Sequence, residues 1–166
     1  MTGPLDMDPV DRITVGTIGP VGKRTFLLQA RQGGRVFTVK MEKAQVAALA
    51  EYLGKLVSQG ARPGHLPEEL DLEDPQEPEW AVGTVGISYD EATDRFLLVI
   101  EEAIMEEDRE GASARIGTSR EQVAALAIRG TSLVEAGRPP CPLCGFPLDP
   151  NGHACPKTNG HRPPTT

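Results

Sequence analysis

Gln45 to Ala50 and Gln122 to Ala127 are the same hexapeptide, QVAALA, and self-similarity within one chain constrains its fold more tightly than any composition can. Upstream, in the same order, Val15-Gly16-Thr17 recurs as Val82-Gly83-Thr84 and Phe26-Leu27-Leu28 as Phe96-Leu97-Leu98, with the offset between copies widening from each match to the next. Growing offsets are what loop insertions leave behind in a repeated unit. The 166 residues are therefore expected to hold two copies of one small unit.

Each copy reads as strands followed by a helix. In the first, Arg12 to Ile18, Thr25 to Arg31 and Arg35 to Met41 are short β-prone runs separated by Gly-Pro and Gly-Gly turns. The helix comes next, with Val46, Leu49, Ala50, Leu53, Leu56 and Val57 at the spacing of a single apolar face. In the second copy Trp80 to Ser88, Arg95 to Ala103 and Ser113 to Ile116 take the strand places. Ser119 then opens a helix, Gln122 is placed to close a capping box, and Val123, Leu126, Ala127, Leu133 and Val134 form its stripe. The small residues of QVAALA suit closely packed helices. Trp80, the sole tryptophan, is expected to anchor the core rather than a partner.

A three-stranded sheet with one helix buries one face, so two copies are expected to associate about a pseudo-twofold axis, by joined sheets or stacked layers. The fold class is α+β: a β-β-β-α repeat over residues 1–62, a linker over 63–79, a second β-β-β-α repeat over 80–137 and a metal-binding tail over 138–166.

Charge sets the linker apart. The chain carries a net charge of −7, and Pro67 to Glu79 alone contains seven carboxylates, Glu68, Glu69, Asp71, Glu73, Asp74, Glu77 and Glu79, with no base. The remainder is near neutral and has no electrostatic signature of nucleic-acid or membrane binding. Such a run reads as a solvated, flexible linker, the alternative being an acidic docking segment for a basic partner. At 4% aromatic residues the chain also lacks a stacking platform for single-stranded nucleic acid. No apolar stretch approaches the roughly 18 residues of a membrane span, and the N-terminus lacks a basic region followed by a hydrophobic core. A cytoplasmic location is expected.

After Gly137 the run Arg138-Pro139-Pro140 cannot continue a helix, and the composition changes to CPLCGFPLDPNGHACPKTNGH. Cys141 and Cys144 form C-x2-C followed by Gly145, the arrangement of a knuckle that aims two thiolates at one ion. Cys155 is the third candidate ligand. The fourth is His153, which shares an extended segment with Cys155 and comes after the turn Asp149-Pro150-Asn151-Gly152, or else His161. A closed Cys/Cys/His/Cys set points to structural Zn2+, whose binding would supply the folding free energy of a tail with little apolar content. Three cysteines within fifteen residues fit a reducing compartment.

DRITVGTIG, RTFLLQAR, EKAQVAALAEYL and above all GRPPCPLCGFPLDPNGHACPKTNGHR resemble the DUF3090 family of actinobacterial proteins over nearly the whole chain. The resemblance implies an aromatic residue at the place of His161 in many members, which favours His153 as ligand. It implies no assigned activity. It does imply a shared pathway or complex with phosphomutase-like and kinase-like proteins, whose genes accompany the family.

Three functions are compatible with these features. The first is a non-catalytic zinc-binding adaptor, with the duplicated sheet as scaffold and the knuckle as docking element. It accords with the lack of a Walker, Rossmann or G-x-S-x-G pattern; Gly16, Gly19 and Gly22 are spaced as turns, and His65 falls in the linker. The second is an enzyme or small-ligand binder with a pocket between the repeats, to which Glu101, Glu102 and the acidic loop from Glu106 to Glu110 would bring carboxylates. The third, nucleic-acid binding through the zinc module, rests only on Arg138, Lys157 and Arg162.

Overall fold

The β-prone runs and their glycine turns fold into two sheets, one antiparallel and one with a single parallel edge strand, and a helix follows the last strand of each. The computed structural model describes residues 4–20, 22–105 and 110–136. β1 (Leu5–Met7), β2 (Arg12–Ile18), β3 (Thr25–Gln32), β4 (Arg35–Met41) and α1 (Lys43–Ser58) precede β5 (Val82–Asp90), β6 (Arg95–Glu102), β7 (Ser113–Ser119) and α2 (Arg120–Glu135). One sheet has the order β2-β3-β4 and the other β1-β7-β6-β5, which makes the protein α+β. The β2–β3 turn bends at Gly19 and Gly22, both with positive φ, the backbone that glycine adopts without strain.

Inward rows build the core. Val15, Leu28 and Val39 lie side by side across the first sheet, and Ile87, Leu98 and Ile116 across the second. Strand alternation sends these residues to one face, where they join Val46, Leu49 and Leu53 of α1 and Val123 and Leu126 of α2 in one hydrophobic cluster. The helices pack on each other, and a Cβ at Gly130 would lie 3.1 Å from Ala50 Cβ. The small residues of the hexapeptides therefore sit where close approach requires them. Trp80 leans on the same core, its ring centroid 5.5 Å from that of Phe37.

The strand registers can be compared with the sequence matches. Phe26 and Phe96 both lie opposite the residue two places before a helix's first, Met41 and Thr118. Gln45 and Gln122 are both the third residue of a helix, and each closes a capping box, with Glu42 and Ser119. Val15-Gly16-Thr17 and Val82-Gly83-Thr84 do not correspond. Val15 pairs with Leu28, whose counterpart Leu98 pairs with Ile87, whereas Val82 lies at the far end of its strand opposite Glu102. When the two FLL runs are laid over each other, the register sets Val15 beside Ile87 rather than Val82.

The two halves exchange strand lead-ins. β1 adds in parallel to β7, and Val10 N–H then donates to Gly117 O at 2.9 Å. Conversely Lys40 N–H, at the end of β4, donates to Trp80 O at 3.0 Å in a parallel bridge just before β5. β1 has only three residues and no periodicity, so nothing in the sequence announced it.

Residues 69–75 overturn the reading of the acidic run as a solvated, flexible linker. They cross the outer face of the first sheet, where Thr14, Gln29 and Thr38 form a buried polar row. Thr14 Oγ1 donates to Leu70 O (2.6 Å) and Thr38 Oγ1 to Pro75 O (2.9 Å). The Gln29 amide pairs both ways with the Glu73 peptide, donating to its O at 2.7 Å and accepting from its N at 2.9 Å. Buried polar side chains need partners, and this segment's peptide groups provide them. Carboxylates of the acidic run meet cations, as in Arg31–Glu73 within the crossing and Arg35–Glu79 beyond it, both 2.9 Å. Leu72 lies on Gly16, which is a strand residue under close contact rather than a turn glycine: a Cβ there would come within 2.5 Å of Leu72 Cγ.

Candidate functional site

Gln45 positions one wall of a groove by bonding in two directions. Its Oε1 accepts from Glu42 N–H at 2.7 Å, and its Nε2 donates to Val82 O at 2.9 Å, which fixes the first turn of α1 against the start of β5. Beyond that tie, Ala48, Leu49 and Tyr52 of α1 face Gly83, Val85 and Ile87 of β5 across a cavity of about 480 Å³. β5 is an edge strand, and Tyr52 is half exposed.

Gln122 makes the matching tie on α2, donating through Nε2 to Val10 O at 3.1 Å, but the helix beyond it differs. Two turns on from Gln45 stands Tyr52; the same step from Gln122 reaches Arg129. Arg129 Nε donates to Val15 O at 2.6 Å and closes the space between α2 and β2. Ala125 is buried, whereas Ala48 is exposed. The groove on α1 lies beside the half-exposed Tyr52, which stands where α2 has Arg129 bonded to the neighbouring strand.

Chemically the groove suits an apolar group. The Gln45 amide is committed to backbone, and Tyr52 carries the remaining polar atom of the lining side chains. Glu101 and Glu102, expected to bring carboxylates to a pocket between the repeats, lie elsewhere. Glu101 is exposed on β6 between Thr84 and Ser113, and Glu102 Oε1 accepts from Ala112 N–H at 3.0 Å. Glu110 is exposed, and residues 106–109 of that loop lie outside the described residues.

Arg120, which the sequence did not single out, forms the most buried charged cluster described. The side chain is only 4% exposed. Its Nη2 donates to Asp94 Oδ1 at 2.8 Å, its Nε to Oδ2 at 3.1 Å, and its Nη1 to Val57 O at 3.0 Å. The guanidinium also lies over the Tyr89 and Phe96 rings, 5.8 and 5.4 Å from their centroids. It thereby joins the end of α1, the β5–β6 turn and the start of α2. Hydrogen bonds from Arg120 first, then from Tyr89, hold the Asp94 carboxyl below the usual carboxylate range. The bond to Asp94 raises the Tyr89 hydroxyl. Every group here is satisfied within the fold, so the cluster reads as a clamp.

Cys141, Cys144, His153, Cys155 and the alternative His161 lie outside the described residues. Among the described residues no group of three or more His, Cys, Asp or Glu is placed to hold a metal ion, and no helix is long and apolar enough to cross a membrane.

No curated protein matches the chain. A family model described as a protein of unknown function, DUF3090, matches residues 5–155, from the first residue of β1 to the last of the three cysteines. The match spans both sheets and both helices, and the chain belongs to the DUF3090 family.

Proposed function

We propose that this is a cytoplasmic, non-catalytic adaptor whose C-terminal segment binds structural Zn2+ through Cys141, Cys144, His153 and Cys155. The observation that carries this reading is the ligand spacing: C-x2-C-G, a turn, then His-x-Cys, beginning shortly after α2 ends at Glu135. Two thiolates from a knuckle, a third cysteine and a histidine complete a tetrahedral set that leaves no open position for substrate. The body is a duplicated β-β-β-α unit that serves as scaffold. What supports the duplication is the pair of glutamines, each closing a capping box in its own helix and bonding the strand lead-in of the other half. The partner is a protein, with the phosphomutase-like or kinase-like proteins associated with the family as first candidates. The neutral charge outside residues 67–79 weighs against nucleic acid.

The test is elemental analysis of purified protein with and without Cys144→Ser, followed by binding to the purified candidate partners with and without chelator. One zinc per chain, lost in the variant together with partner binding, is the expected outcome. A metal-free wild-type protein removes the zinc reading, and partner binding that ignores chelation removes the docking role of the tail.

The groove between α1 and β5 favours a second reading, a binder of a small apolar ligand or apolar side chain between the two halves.

A further inference from the structure

The two places where a strand hands over to a helix differ in charge. Phe26 pairs with Met41 and Phe96 with Thr118. Two residues before each phenylalanine stand Arg24 and Asp94, each directly preceding its strand; two residues after each partner stand Lys43 and Arg120, each opening a helix. In the second half these positions hold a carboxylate and a cation, bonded to each other at 2.8 and 3.1 Å and tied to Val57 near the end of α1. In the first half both positions hold cations.

A cavity of about 400 Å³ is lined by Arg24 and Lys43, with Lys40 as a third cation. Leu133, near the end of α2, borders it as Val57, near the end of α1, borders the clamp. Among the described residues the side chains of Arg24, Lys40 and Lys43 make no hydrogen bond and no ion pair. Glu42 is the one acid of the lining, so the three cations leave a local net charge of +2 in a chain whose total is −7. Cations gathered in this way favour a bound anion, because each is stabilised by opposite charge close by.

We infer that this cavity binds a doubly charged oxyanion carried on a small organic body. The ligand supplies the negative charge that Asp94 supplies in the other half. A phosphate monoester carries about −1.5 to −2 near neutral pH, and a dicarboxylate carries a similar charge. Either can accept hydrogen bonds from the Arg24 guanidinium and the lysine ammonium groups. Phe26, Met41 and Leu133 offer the body of the ligand an apolar surface. The groove beside Tyr52 shares none of these residues, and neither does the cysteine and histidine segment.

Amide NMR titration of the full chain with inorganic phosphate, with succinate and, at matched ionic strength, with sodium chloride tests this. Saturable shifts at Arg24, Met41 and Lys43 with phosphate, and none with chloride, are expected. Arg24→Asp gives the first half the charges of the clamp. It should weaken phosphate binding at least about tenfold and raise the melting temperature in the absence of phosphate. Lys43→Gln, which adds no acid, should also weaken binding. Succinate binding as tightly as phosphate supports the site and assigns it to dicarboxylates, and weaker succinate binding assigns it to phosphates. The inference is overturned by shifts that chloride reproduces, by the absence of saturable shifts at these residues with either anion, or by binding that neither variant weakens.

Discussion

Arg120 holds Asp94 through hydrogen bonds of 2.8 and 3.1 Å, one residue buried at the start of a helix and the other half exposed in a hairpin turn with φ 53°. A cation at a helix's first position opposes the helix dipole. Here that cost is offset because the guanidinium also satisfies the end carbonyl of α1 and lies over two rings.

Arg120→Ala should lower stability by about 2 to 3 kcal/mol, since it removes a buried hydrogen-bonded ion and its packing. For a chain of this size that is a fall in melting temperature of about 5 to 10 °C. The pH dependence stems from the depressed Asp94 carboxyl. A group whose folded pKa lies below its unfolded one contributes stability above about pH 4, and the contribution fades as pH falls toward the folded value. Asp94→Asn should therefore be less stable than wild type at pH 7, with the gap closing below about pH 4. Urea midpoints across that range give the comparison, and a gap that stays constant with pH would remove Asp94 from the clamp's energetics.

Gly16→Val should cost about 1 to 3 kcal/mol because its side chain would occupy the space of Leu72. Leu72→Ala in the same molecule should recover part of that loss, giving a coupling above about 0.5 kcal/mol in a double-mutant cycle. Strict additivity of the two substitutions would mean that residues 69–75 do not rest on the sheet in solution.

Ala48→Trp should leave stability within about 0.5 kcal/mol of wild type, because Ala48 is exposed, while filling the groove between α1 and β5. A hydrophobic fluorescent dye that binds wild type should lose its signal with this variant. Unchanged dye binding would place the dye, and any natural apolar ligand like it, elsewhere on the molecule.

Much of the fold was legible in the sequence because the signals were local. The three runs of the first half, the Ser119–Gln122 capping box and the apolar stripes of both helices were readable as short-range patterns, and the structure places strands and helices there. Pairing between distant segments was not legible. Nothing near Leu5 indicates a parallel partner at Ala114, and a tripeptide match at Val15 and Val82 misled because strand residues repeat by chance over such short lengths. The acidic run misled for a different reason: composition reports side chains, and residues 69–75 are held through their peptide groups. Of the candidate sites, a pocket between the repeats was expected with carboxylates in it, but the apolar lining of the groove was not legible because it depends on how α1 and β5 come to face each other.

Because the strap over the first sheet is gripped by its main chain, the two aspects of that stretch are free to change independently. Its path is dictated by Thr14, Gln29 and Thr38, whereas its acids are held only at the rim or face water. Descendants of this sequence can exchange glutamates for other polar residues without moving the chain. A single loss at Gln29, by contrast, strands a peptide group on both its donor and its acceptor side. For the same reason, a fragment ending at residue 62 is an unfinished object: its outward row waits for carbonyls that only the stretch from Leu70 to Pro75 brings.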